Sequence, residues 1–445
     1  MMNWNQLIST RRLGKGPAVK EEDLYNRTQF QRDYDRIIFS SPFRRMQNKT
    51  QVFPLPGSIF VHNRLTHSLE VASVGRSLGN ILSEKLIQSG EKSPLLYELG
   101  AVVSAGCLAH DMGNPPFGHA GEEAISNYFR EGNGKSLEML VSPEEWSDFL
   151  YFDGNANALR LLGHQFEGRR EGGFALTYTT LASIVKYPFE SVGVSKPKFG
   201  FFQSEKNLYH DIARELGIIQ LESNPMKFVR HPLVFLVESA DDICYQIMDL
   251  EDAHKLKILD YKTTKQLFLN FYDEQRDKHL FDKIEKTFKV VTDQNERIAY
   301  LRAGVINKLV HECIRVFEEQ QTAIMEGTFQ SALITQVGGS SKMAMEEIGP
   351  LSVKKIYRDR SVVEIEMAGY RILGTLLDEF ITAVLSPKAG LSRRLLSLIP
   401  LQYRGDHQTS YEKIQSVIDF VSGMTDLYAL DLYRKIKGIN LPVIG

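Results

Sequence analysis

With 445 residues, 43% of them hydrophobic and 24% charged, the chain has ordinary globular composition and ample material for a core, as one large domain or two to three smaller ones. A formal net charge of −2 excludes a globally basic nucleic-acid binder, so any polyanion must be held by a local patch. Cys107, Cys244 and Cys313 lie far apart and fit no CxxC metal pattern, which favours a reducing compartment with the thiols used as small apolar side chains.

The opening stretch, MMNWNQLISTRRLGKG, has no long apolar core and no cleavage signal. The first clear element is a helix in which Leu65, Leu69, Val74, Leu78 and Leu82 recur near a period of 3.6. Ser93-Pro94 opens the next, with proline at a first-turn position. It runs through LLYELGAVVSAGCLAHD, should be buried on most sides, and is expected to stop at Gly113, Pro115 and Pro116. Its apolar part, Leu99 to Ala109, is too short for a membrane span. A cytoplasmic protein with no membrane partner is expected. GEEAISNYFRE begins another helix.

From about Lys186 to Lys206 the chain is rich in Gly, Pro and Phe and reads as a long loop. Pro232 to Leu256 is a strong helix, and residues 280 to 330 are again helical. Ser352 to Met367 (SVKKIYRDRSVVEIEM) alternates and is β-branched, which predicts a small β-hairpin turning at Asp359. The remainder is helical and ends in GMTDLYALDLYRKIKG, with no internal repeat or low-complexity tract. The expected architecture is mostly α, either one unit or a core over 1–260 followed by a helical C-terminal lobe over 261–445. Basic stretches such as LISTRRLGKG, FRRMQNK and LSRRLLS could meet polyanions, although runs of this size are ordinarily solvated faces.

The chemistry concentrates at GCLAHDMGNPPFGHAGEEAI, Gly106 to Ile125. Successive helical residues point about 100° apart, so His110 and Asp111 can share one ligand only at a helix end or in a crevice. Taken by itself, the doublet reads more simply as a buried histidine beside a capping aspartate. Other stretches bear on the choice. His67 lies in HNRLTHSLEV, and Asp241 and Asp242 lie in VESADDICYQIMDLEDA on an apolar helix, where unpaired carboxylates are costly. Two imidazoles and two carboxylates from separate helices would make a mixed N/O site. Such a site suits Mn, Fe, Co, Ni or Mg with positions left for water and substrate; a structural zinc site more often uses cysteine.

Together, RLTHSLEV, HDMGNPPFGHAGEEAI and ESADDICYQIMDLEDA resemble the HD-domain metal phosphohydrolases, and more closely the bacterial dGTPase / deoxynucleoside triphosphate triphosphohydrolase family. SSPFRRMQNKTQVFPL, DGNANALRLL, TYTTLASIVKYPF and GMTDLYAL resemble that family too, and the likeness extends from about residue 10 to 435. The resemblance implies the helical HD-domain phosphohydrolase fold, with the core and an N-terminal substrate-binding segment in 1–260 and a C-terminal lobe that completes the site or an oligomer interface. It implies that His67, His110, Asp111 and Asp241 hold one divalent metal (Mn, Mg, Fe, Co or Ni), with Asp242 turned away toward a salt bridge. The implied reaction is hydrolysis of a dNTP, dGTP among the substrates, to deoxynucleoside and triphosphate by water attack at the α-phosphorus.

His119 and Glu122 are three apart and share a helix face. The resemblance makes His119 the group for proton transfer or nucleophile activation, and Glu122 the residue that orients it; the bland alternative is a capping contact at the helix start. For substrate, the resemblance places Gln47 near sugar and base; Tyr245, one helical turn after Asp241, would face the same way and wall the sugar against a 2′-hydroxyl, and Asp249, another turn along, would accept from the 3′-hydroxyl. Asn155, Lys186 and Tyr187 resemble triphosphate contacts, and Arg64 a phosphate contact. Tyr245 as core, Arg64 as a surface ion pair and Asn155 as a turn residue are the plain alternatives. Some relatives act as homo-oligomers, use a nucleotide effector or bind single-stranded DNA, and the resemblance extends those partners here by analogy alone. Two further readings compete. One is another HD phosphohydrolase, a nucleotidase or phosphodiesterase. The other is a nucleotide-sensing or single-strand DNA-binding protein with a vestigial site, against which the intact histidine and acid set speaks.

Overall fold

The computed structural model describes residues 1–15, 27–51, 62–194, 197–355, 360–388 and 390–439. The fold is mostly α-helical. Ten helices position the site: α1 (Arg64–Gln88), α2 (Leu99–Ala109), α3 (Gly118–Arg130), α4 (Gly154–Gly163), α5 (Tyr178–Ile184), α6 (Val234–Lys255), α7 (Gln294–Glu326), α8 (Arg360–Leu385), α9 (Ser410–Ser422) and α10 (Asp426–Ile436). No helix among the described residues is long and apolar enough to cross a membrane.

Local sequence explains where the important helices begin and end. Asn63 and Thr66 form a reciprocal capping box at the start of α1, each side chain satisfying the other residue's backbone N–H. Helix α2 is short, apolar and buried nearly all round, as its composition requires. It stops at Ala109, with His110 as its C-cap, and not at Gly113 as the sequence suggested. His110 keeps helical backbone angles at this cap and Asp111 lies in the turn that follows, so the doublet sits at a helix end, where two neighbouring side chains can meet one ligand.

The core falls into two clusters. One gathers side chains of α1, α2, α5, α6 and α7, among them Val71, Leu78, Val103, Leu181, Leu236, Ile247 and Leu309. The other joins α3 to the end of the chain: Ile125 and Phe129 pack with Leu373, Leu376 and Phe380 of α8, Ile418 of α9 and Ala429 of α10. Polar ties stitch the two. Arg160 of α4 is buried between Asp419 of α9 and Glu205, with nitrogen–oxygen distances of 2.7 Å to each. A buried guanidinium paired on both sides in this way avoids the cost of a lone buried charge.

Among the described residues of 352–367, the expected hairpin is replaced by helix. Residues 352–355 end the helix Gly339–Lys355, residues 360–367 open α8, and the expected turn at Asp359 lies outside the described residues. The alternation there is short, and it runs straight into Ile372, Leu373, Leu376, Leu377 and Phe380, which are spaced for a helix and buried. That packing outweighs a local β preference. The described residues do contain one two-stranded antiparallel sheet, β1 (Gln220–Ser223) and β2 (Met226–Phe228), with Gln220 opposite Phe228 and Ser223 opposite Met226. It was not anticipated, although Asn224-Pro225 is a turn signal between its strands.

Candidate metal centre and active-site cavity

Helix α1 supplies His67, α6 supplies Asp241, and the turn after α2 supplies His110 and Asp111. Donor atoms of His67, His110 and Asp111 lie within 4.8 Å of one another. Asp241 Oδ1 is 3.0 Å from His67 Nε2 and 3.4 Å from His110 Nε2. The His110 ring is oriented by its other nitrogen, since Nδ1 donates to the Cys107 carbonyl at 2.6 Å. A histidine fixed through one ring nitrogen in this way presents the other as a metal ligand. His110 Nε2 is buried and has no hydrogen-bond partner among the described residues. An orphaned imidazole nitrogen facing two carboxylates fits a divalent cation held by N and O donors.

The electrostatics agree. Burial pushes the Asp111 carboxyl up, but Arg64 and the two imidazoles more than offset it, so the net direction is down. Arg64 lies 2.7 Å from Asp111 Oδ2, and the Asn114 amide donates to its Oδ1. Burial likewise pushes Asp241 up, yet His110 and His67 hold it well below the usual carboxylate range. For His110, burial favours the neutral ring, but Asp111 and Asp241 override it and raise the pKa to about 9. Proton and divalent ion then compete for one lone pair, so the site should take metal more tightly as pH rises.

His62, unremarked in the sequence, braces this centre from behind. Its Nδ1 is 2.7 Å from Asp252 and its Nε2 3.0 Å from Glu70. It thus ties the start of α1 to the far end of α6, the two helices that deliver His67 and Asp241.

Beside this cluster, a cavity of about 580 Å³ opens to solvent, within the range of small-ligand sites. His119 stands at its mouth with its side chain 84% exposed, and its Nδ1 is 2.9 Å from Glu122 Oε2. The other Glu122 oxygen accepts the Gly154 N–H at 2.7 Å, which anchors the carboxylate to the start of α4. The Glu122 hydrogen bond raises the His119 pKa above the ordinary imidazole value.

The cavity wall includes His110, Asp111, Asp241, His119, Glu122, Arg64, Asn155, Lys186, Tyr187 and Tyr245 from the sequence expectations. Among the described residues it does not include Gln47, His67 or Asp249. His67 sits directly behind, against Asp241. Gln47 is exposed in the short turn Met46–Asn48, and its neighbours Thr50 and Gln51 reach the cavity instead. Asp249 is buried further along α6. Arg64 is buried against Asp111 and is no surface ion pair. Asp242 does not turn away: it faces the cavity, where burial pushes its carboxyl up to about 7 against the pull of Lys186. Lys186 itself pairs with Glu238 at 3.1 Å.

Lys198 also lines the cavity, 3.7 Å from Asp153 Oδ1, and was missed. Its sequence setting, SKPKFGFF, carries no periodicity, so only the folded loop reveals where it ends up. Ile365 and Glu366 of α8 complete the wall, which the expectation of a hairpin had obscured.

Residues 64–168 match the HD domain family, and residues 336–435 match the phosphohydrolase-associated domain family. Fold and site thus define an HD-domain phosphohydrolase. The chain is 38% identical to deoxyguanosinetriphosphate triphosphohydrolase-like proteins of Synechocystis sp. and of Pseudomonas aeruginosa, over 99% of this chain and 100% of each relative. It is 29% identical to the deoxyguanosinetriphosphate triphosphohydrolase of Yersinia enterocolitica, over 98% of this chain and 99% of that one. The chain belongs to the deoxyguanosinetriphosphate triphosphohydrolase-like family.

Proposed function

We propose that this protein is a metal-dependent triphosphohydrolase that converts dNTPs, dGTP among them, to deoxynucleoside and inorganic triphosphate. The observation that carries the reading is the convergence of His67, His110, Asp111 and Asp241 beside a cavity whose mouth holds the His119–Glu122 pair. The names of the relatives point to the same substrate class.

His67, His110, Asp111 and Asp241 would hold one divalent ion, which would supply Lewis acidity. The chain's own residues do the rest. Glu122 holds His119 by Nδ1 and leaves Nε2 to carry a proton. Neutral His119 accepts that proton from the water attacking the α-phosphorus and returns it to the departing 5′ oxygen, so the imidazole ends each turnover as it began. Arg64, Lys186 and Lys198 balance the polyphosphate charge within the cavity. Tyr245, one turn from Asp241, supplies an aromatic wall that disfavours a 2′-hydroxyl.

The test is to supply the four dNTPs and GTP, singly and in mixtures, with Mn²⁺ or Mg²⁺, and to identify products by ion chromatography. Triphosphate and deoxynucleoside in equal amounts are expected, with GTP left largely intact. Orthophosphate or a nucleoside monophosphate would instead make the protein a different HD phosphohydrolase. Faster turnover in mixtures than in single substrates would reveal a nucleotide effector.

A further inference from the structure

The GMTDLYAL stretch near the C-terminus stood out in the sequence without a role. Its aspartate, Asp426, is buried in the first turn of α10 and uses both carboxylate oxygens. Oδ2 accepts the backbone N–H of Thr50 at 2.9 Å and its hydroxyl at 2.5 Å. Oδ1 accepts the backbone N–H of Phe117 at 3.0 Å. Next to it, buried Lys49 donates to the Asn114 carbonyl at 2.5 Å and to the Ser422 carbonyl at 2.9 Å, where α9 ends.

Both contacts land on the segment between the His110–Asp111 doublet and the His119–Glu122 pair. That segment needs holding. Phe117 has φ +65° and Gly118 φ +60°, two successive left-handed residues at the corner where α3 begins. For phenylalanine this conformation is strained and persists only where the surroundings impose it. Asp426 grips Phe117 by its N–H, and α8 closes over the ring: a Cβ on Gly369 would lie 2.6 Å from Phe117 Cγ.

We propose that Asp426, assisted by Lys49, is a positioning residue that sets where His119 stands relative to the metal centre, so that the end of the chain fixes the proton-transferring side of the cavity. The catalytic part of this proposal rests on the triphosphohydrolase reading; the structural part does not. Asp426 touches neither His119 nor the metal donors. It acts by fixing the strained corner one residue before α3 carries His119 outward.

The experiment compares the full-length wild type with Asp426→Asn, which is isosteric but turns an amide donor toward one of the two N–H groups, and with Tyr411→Phe as a control. Tyr411 also joins the C-terminal helices to the core, but through Asp148 at 2.7 Å, outside the 112–118 segment. Three quantities are read: kcat and KM for dGTP, bound metal per chain, and hydrogen–deuterium exchange of peptides covering 112–122. Asp426→Asn should lower kcat about 10- to 100-fold, the scale of a misplacement near 1 Å. KM and metal content should stay within about twofold, and exchange over 112–122 should speed up relative to the wild type. Tyr411→Phe should lower the thermal midpoint without changing kcat or that exchange.

Should Asp426→Asn not fold, Thr50→Val removes one bond from the same carboxylate and should shift kcat and exchange the same way by a smaller factor. Unchanged exchange over 112–122, a kcat equal to the control's, or a rate loss fully matched by metal loss would each overturn the proposal. If the wild type hydrolyses no dNTP, the functional reading fails, and the exchange comparison alone still decides whether Asp426 holds the corner.

Discussion

The two sides of the cavity are built from different parts of the chain. The side proposed to hold the metal is delivered by α1, α6 and the turn after α2, elements packed in one core cluster and braced behind by His62. The His119–Glu122 side rides on α3, whose apolar face packs against α8, which in turn packs against α9 and α10 in the other cluster. Substitutions on the first side should therefore act on ion binding. Those on the second should act on the rate with the ion still in place. The contrast also gives the last hundred residues a task beyond packing, since they hold the corner from which α3 starts.

The strongest way to break this contrast is at His119. His119→Ala should lower kcat by about 10²- to 10⁴-fold, the usual contribution of a positioned acid–base group, while metal per chain, measured by plasma mass spectrometry after desalting, stays at the wild-type level. Loss of metal in step with activity would merge the two sides into one. A smaller effect sharpens the contrast through pH. The Glu122 hydrogen bond raises the His119 pKa, and the reaction needs the neutral imidazole, so the acid limb of kcat/KM should lie above the ordinary imidazole value of 6.5. Glu122→Gln removes the charge that holds the proton, so that limb should move to lower pH, with a reduced plateau. A limb that stays where it was would assign the titration to another group.

The convergence of His67, His110, Asp111 and Asp241, proposed here to hold the ion, was largely legible in the sequence because these residues carry strong local signals. His67 and Asp241 sit on long periodic helices, and the His110–Asp111 doublet lies where an apolar run meets Gly and Pro. The other side was only half legible. His119 and Glu122 show at a spacing of three, but the residues that hold their helix, Lys49 and Asp426, are far away in sequence and look like ordinary surface charges there. Lys198 was hidden for a similar reason, because a loop position is set by tertiary contacts and not by periodicity. Around residues 352–367, alternation over a few residues mimics a strand, but the longer helical spacing that follows it governs the described residues. Gln47 lies in an exposed turn and Asp249 is buried further along α6, and neither is among the described residues of the cavity wall, a placement that neither a motif match nor helical spacing reveals.

The central claim is that two imidazoles and two carboxylates from separate elements grip one ion. It is tested most directly by equilibrating the wild type, His110→Ala, Asp241→Asn and Asp242→Asn with Mn²⁺ and measuring tightly bound metal per chain. One ion per chain is predicted in the wild type and in Asp242→Asn, with occupancy largely lost in His110→Ala and Asp241→Asn. Full occupancy in His110→Ala, or equal occupancy in the two aspartate variants, would contradict the account.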